Sequence, residues 1–224
     1  MPTFVNEVET AWNTSTSPKT TGSIDVEAGD FLVCIGIINS NDRTISTPTN
    51  SGTALTWTQQ QFSDSTNRIY LWTAPATANE SITVSAVQPS AAQQYGIVVY
   101  AFRSSAGIGA SSKHTTAQSG VPSLDITTTR PNSIVVFGIV DDVPVDGASR
   151  AYLTNAGAAT ERMYFLAAGR THYSAYHANS GAIATYAVGL SAPGSQLYQM
   201  VAVELLGPVL FPTRTKYMTG GIVE

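Results

Sequence analysis

Charge is what this chain has least of. Aspartate, glutamate, lysine and arginine together make up 12% of its 224 residues, about half the usual share. The solvated faces must therefore be built from serine, threonine, asparagine, glutamine and glycine. Lysine is scarcer still, with only Lys19, Lys113 and Lys216, and the arginines stand singly. Binding to nucleic acid needs clustered cations that displace counterions from phosphates. With a net charge of −4 and no basic cluster, no nucleic-acid partner is expected. A single cysteine, Cys34, cannot close an internal disulfide, so the fold owes nothing to redox compartment. It sits in the apolar run Phe31 to Ile35 and reads as a small buried hydrophobe. No apolar run approaches the ~18 residues of a membrane span. Met1 to Glu7 has neither a cationic stretch nor an apolar one, so a signal peptide is not expected and synthesis is assigned to the cytoplasm.

Helical periodicity is missing too. No window holds a 3.6-residue apolar repeat between caps; short apolar or alternating runs follow one another, parted by turn residues. Asp30 to Ile38 is apolar almost throughout and suits a strand covered on both faces. Ser81 to Val87 alternates, with Ile82, Val84 and Ala86 on one face, and Ser123 to Thr129 does the same with Leu124 and Ile126. Further strands are predicted over 54–62, 68–74, 94–103, 133–140, 160–166, 170–177, 184–191 and 196–206. Phe4 to Trp12 forms a short first segment, followed by a Ser/Thr-rich linker reaching residue 21. Many short strands at near-regular spacing predict an all-β fold, a two-sheet antiparallel β-sandwich of jelly-roll type.

Part of the chain looks like a copy of another part. Tyr95-Gly96-Ile97-Val98-Val99-Tyr100-Ala101-Phe102 aligns with Tyr198-Gln199-Met200-Val201-Ala202-Val203-Glu204-Leu205, 103 positions on. The same offset pairs Phe31 with Ile134 and Tyr70 with Tyr173. Two halves, about 22–106 and 123–207, are expected to sit about a pseudo-two-fold axis. One sandwich made of both halves is preferred over two small ones. Val98, Tyr100 and Phe102, and likewise Val201, Val203 and Leu205, should line an inner face. After residue 207 the chain changes character. Residues 208–224 read as a C-terminal arm whose apolar residues, Leu210, Phe211 and Tyr217 above all, are candidates for binding a partner polypeptide.

Candidate chemistry is sparse. His172 and His177 lie five apart on one strand, so they face opposite sides of it and make a poor metal pair. Asp141, Asp142 and Asp146 could offer oxygens to calcium, but the order of a calcium-binding loop is absent and solvated turn residues are the preferred reading. Gly107-Ile108-Gly109-Ala110-Ser111 reads as a glycine-rich loop, without the serine elbow of a hydrolase or the lysine of a phosphate loop. Glu161, Glu204 and Asp125 fall on different strands and share no motif. Trp57, Trp72, Tyr70, Tyr173 and Tyr176 are read as core, with sugar stacking as the alternative. No catalytic residue, cofactor or metal site is assigned.

The runs Leu55-Thr56-Trp57-Thr58, Tyr70-Leu71-Trp72-Thr73-Ala74-Pro75, Val99-Tyr100-Ala101-Phe102-Arg103 and Gly107-Ile108-Gly109-Ala110-Ser111 resemble minor tail proteins of tailed bacteriophages, especially those of actinobacterial hosts. Val188-Gly189-Leu190-Ser191-Ala192-Pro193 and Val201-Ala202-Val203-Glu204-Leu205 extend the likeness over most of the chain. These motifs are structural. The resemblance implies a non-enzymatic virion protein, in the tail rather than on the capsid surface. Its partners would be other virion proteins and further copies of itself, a trimer among the options, with host cell-wall glycan as a further candidate. A capsid-surface decoration protein and a free carbohydrate-binding module are the alternative readings.

Overall fold

The computed structural model describes residues 1–13, 17–65, 67–88, 93–143, 149–167, 169–178 and 180–208. Two large antiparallel sheets lie at its centre. The first runs β1 (Thr3–Glu9), β10 (Tyr95–Arg103), β4 (Phe31–Ile38), β7 (Arg68–Pro75), β6 (Thr58–Asp64) in spatial order. The second runs β11 (Ile108–Lys113), β19 (Gln196–Leu205), β14 (Ile134–Asp141), β17 (Arg170–His177), β16 (Ala159–Ala167), with β12 (Gln118–Gly120) also paired to β19. Each large sheet carries a smaller layer. On the first, β3 (Ile24–Val26) pairs with β8 (Glu80–Ile82), and β9 (Val84–Ala86) lies between β2 (Lys19–Thr20) and β5 (Thr49–Asn50). On the second, β18 (Thr185–Ala192) lies between β13 (Ser123–Thr127) and β15 (Ala151–Tyr152). The two large sheets face each other across one shared apolar core, and each has its smaller layer on the opposite face.

Period-2 alternation explains the layering. In β10, Val98, Tyr100 and Phe102 enter the seam between the large sheets, while Tyr95, Ile97, Val99 and Ala101 enter the first half's own core. In β19, Val201, Val203 and Leu205 meet the same seam, and Tyr198, Met200 and Ala202 turn to the second half's core. The all-β antiparallel sandwich expected from sequence is what the large sheets form, and because their strands are apolar on both faces, smaller sheets cover the outer face of each. Fully burying one such side chain is worth about 1.5–3 kcal/mol, so the central strands dominate the cohesion of the molecule.

The pairings of the two large sheets run in step. Val98 pairs with Ile35 and Val201 with Gly138; Ile35 pairs with Leu71 and Gly138 with Ser174. Register shifts fall at Phe4/Asn6 in β1 and Ile108/Ser111 in β11, and at Gln59/Gln61 in β6 and Glu161/Met163 in β16. The edges cross over as well. Arg162 of β16 lies 3.9 Å from the Phe4 ring of β1, which stacks on Tyr176 at 5.4 Å. At the other edge Gln61 of β6 donates to Ser111 of β11 at 2.8 Å, and the Lys113 ammonium to the Phe62 carbonyl at 2.8 Å.

Three local expectations differ from the structure. Within the run 107–111, residues 108–111 belong to strand β11 rather than to a loop. Its glycine is required by space, because a Cβ on Gly109 would lie 2.2 Å from a Glu204 carboxylate oxygen. The alternating run 81–87 is two strands rather than one: β8 and β9 pair with different neighbours, and between them the Thr83 amide donates to the Ser51 hydroxyl at 2.8 Å. The strand expected from residue 54 begins at Thr58, because Asn50 ties the preceding turn by accepting from the Leu55 amide at 3.1 Å.

Candidate functional site

Polar side chains gather where the seam meets solvent at one end of the sheets. Four strand ends meet there: β4 and β14 end at it, and β7 and β17 begin from it. Asn39, just past β4, is buried and crosses the seam to His172 of β17, with Oδ1 2.8 Å from the ring Nε2. Its amide nitrogen donates to the Gln94 side chain at 2.8 Å, and Gln94 in turn donates to the Trp12 carbonyl at 3.2 Å. From the other half, Asp142 accepts from the Arg170 guanidinium at 2.7 Å and from Asn67 at 2.6 Å. The Ser40 hydroxyl bonds Asp42 and accepts from the Arg43 amide at 3.2 Å, closing a tight turn. Between these groups lies an open cleft of about 480 Å³, lined by Asn39, Ser40, Asn41, Asp42, Gln93 and Arg170.

Asp141, the last residue of β14, and Asp142, just past it, take different directions. Asp141 is fully buried on the second half's core side, where it accepts from the Tyr173 hydroxyl at 3.0 Å and the Val143 amide at 2.9 Å. Burial pushes its pKa up to about 6. Asp142 faces Arg170. The two therefore cannot share one ion, and Asp146 lies outside the described residues. Among the described residues no three His, Cys, Asp or Glu side chains gather to hold a metal.

The histidines occupy separate environments. His172 is buried in the seam, its ring 5.4 Å from Trp12, and burial pushes its pKa down to about 3. His177 stacks on Phe137 in the second half's core, with Nδ1 2.9 Å from the Gly157 carbonyl. His114 packs against Tyr198, and its carbonyl accepts from Ser63 at 2.6 Å.

The carboxylates named from sequence are likewise apart. Glu161 is bound by Arg150, at 2.8 and 2.5 Å, and by the Tyr152 hydroxyl. Glu204 is fully buried and accepts from the amides of Ala110, Thr129 and Arg130 at 2.9–3.1 Å and from the Thr129 hydroxyl at 2.8 Å. Burial opposes its charge, but these donors outweigh it and hold the carboxyl below its usual range. Asp125 points to solvent from β13.

The aromatics Trp57, Trp72, Tyr70, Tyr173 and Tyr176 are all buried and serve as core. Leu210, Phe211 and Tyr217 lie outside the described residues. The cleft itself had a weak sequence signal. Asn39-Ser40-Asn41-Asp42 after an apolar strand reads as a turn, and nothing local says that Arg170 will come to face it. No helix among the described residues is long and apolar enough to cross a membrane. No protein-family model, curated protein or solved structure matches the chain.

Proposed function

We propose that this chain is a non-enzymatic structural protein of a tailed-phage virion, a minor tail or tail-tip component that packs against neighbouring subunits and reaches the host surface. The observation that carries the reading is the set of sequence runs resembling minor tail proteins, from Leu55-Thr56-Trp57-Thr58 to Val201-Ala202-Val203-Glu204-Leu205. The architecture supports it in one respect. Most of the charged and titratable groups named from sequence are tied into structural bonds: Glu204 in its cradle of amides, Glu161 between Arg150 and Tyr152, His172 on Asn39. Such a molecule is suited to holding its shape in an assembly. Matching strand order, register and bulge positions in the two large sheets support the further reading that the halves are copies of one unit.

The contact to a neighbour is assigned to the arm 208–224, on the apolar character of Leu210, Phe211 and Tyr217. Burying Leu210 and Phe211 would contribute about 3–6 kcal/mol before ordering costs. Deleting residues 208–224 tests this. The reading expects unchanged thermal stability of the isolated chain and loss of incorporation into particles. Normal incorporation of the truncated chain, or its unfolding in isolation, would sink it.

A further inference from the structure

We infer that the cleft at the end of the seam binds a saccharide, through side chains drawn from both halves. Its six lining residues are all polar: Asn39, Ser40, Asn41, Asp42 and Gln93 from the first half, and Arg170 from the second. Asp42 is paired with Arg43 and Arg170 with Asp142, so the lining carries no unpaired charge that would select an ion. The amides of Asn41 and Gln93 each present a donor and an acceptor at a spacing that matches adjacent hydroxyls, and Asp42 and Arg170 add part of their capacity beside their own partners. Together they offer donors and acceptors in the mixed proportion a polyol needs. A lipophile finds no apolar wall there. The cleft, about 480 Å³ and open to solvent, lies where the two large sheets end side by side, a kind of boundary at which small-molecule sites gather.

The cleft is built rather than incidental. Asn39 is fixed by His172 at 2.8 Å and Gln94 at 2.8 Å, and Arg170 by Asp142 at 2.7 Å. The buried side chains behind the cleft thus hold its lining in place, which lowers the entropy cost of binding. Asn41 and Gln93 make no side-chain hydrogen bond to the described residues, so their amides are available to a ligand. Because Arg170 arrives from the second half, the site exists only while the seam is closed. Without an aromatic platform the affinity of one cleft is low, and several copies in one assembly would add avidity.

The inference does not rest on the virion reading, and its test needs no particle. The purified full-length chain is titrated with glucose, galactose, N-acetylglucosamine and arabinose in turn while backbone and side-chain amide resonances are followed. The expected result is that at least one sugar shifts the signals of residues 39–42, Gln93 and Arg170. Asn41→Ala and Gln93→Ala should each weaken that binding by about threefold to tenfold, the worth of one hydrogen bond, with unchanged melting temperature. If no sugar moves those signals, or if the shifts persist with equal affinity in both variants, the inference is overturned.

Discussion

Truncating Phe102 to alanine removes a ring from the middle of the seam, and the structure sets the size of the effect. Phe102 is fully buried and meets three rings: Phe4 at 5.8 Å, Tyr100 at 6.4 Å and, across the seam, Tyr176 at 5.5 Å and 89°. A buried Phe→Ala change costs about 3–5 kcal/mol. Three edge contacts, each worth about 0.5–1.5 kcal/mol beyond area, place this site toward the upper end. For a chain of this length a loss of about 4–5 kcal/mol lowers the melting temperature by about 8–20 °C. Calorimetry and urea unfolding measure it. Amide exchange locates it: Phe102→Ala should speed exchange in β10 and also in β17, since both lose a seam neighbour. Ile97→Val provides the contrast. Ile97 faces the first half's own core, so this change should cost about 0.5–1.5 kcal/mol and leave β17 exchange as it was. A loss below about 1 kcal/mol for Phe102→Ala, or faster exchange confined to the first half, would refute the shared seam.

Other expectations follow from single sites. Asp141 has its pKa raised from 3.8 to about 6, so the folded state favours its protonated form. That contribution is complete below about pH 4 and is lost as pH rises through about 6. Asp141→Asn should therefore gain on the native chain by about 2–3 kcal/mol between those limits, in urea titrations at several pH values; a difference independent of pH would contradict it. His172 acts in the opposite sense, since its depressed pKa removes stability as pH falls from 6.5 toward 3, so the comparison must be variant against native at each pH. Gly109→Ala would drive a methyl into the Glu204 carboxylate, 2.2 Å away, and should cost at least about 1–3 kcal/mol by chemical denaturation. Gly107→Ala meets no atom within 4 Å but has φ of +124°, so its smaller penalty should come from backbone strain alone.

The large strands were legible because their signal is local. Val33, Ile35 and Ile37 alternate with Leu32, Cys34 and Ile38, and a short run apolar on both parities between turn residues suits a strand covered on both faces. The doubling of that apolar surface, however, did not by itself announce four layers. Strand β11 was hidden because Gly-Ile-Gly-Ala has weak strand propensity; its place is set by Glu204, some 94 positions away. The two-residue strands β2, β5 and β15 are too short for any period to register. The cleft was the least legible feature. Its turn residues are ordinary, and its second wall is placed by Asn39 meeting His172, 133 positions later in the chain. Contacts at such separation leave no trace in a local pattern. The buried Asp141 was equally hidden, since an aspartate after an apolar strand reads as a turn residue.

The virion reading meets its most direct test in a cryo-EM reconstruction of purified particles from a phage that encodes this chain. The expected map shows a four-layer body, two large sheets face to face with a smaller layer on each, in fixed copy number about the tail axis, with the segment after residue 208 seated on a neighbouring polypeptide. A reconstruction at side-chain detail with every protein density assigned and none fitting this fold would contradict the proposal.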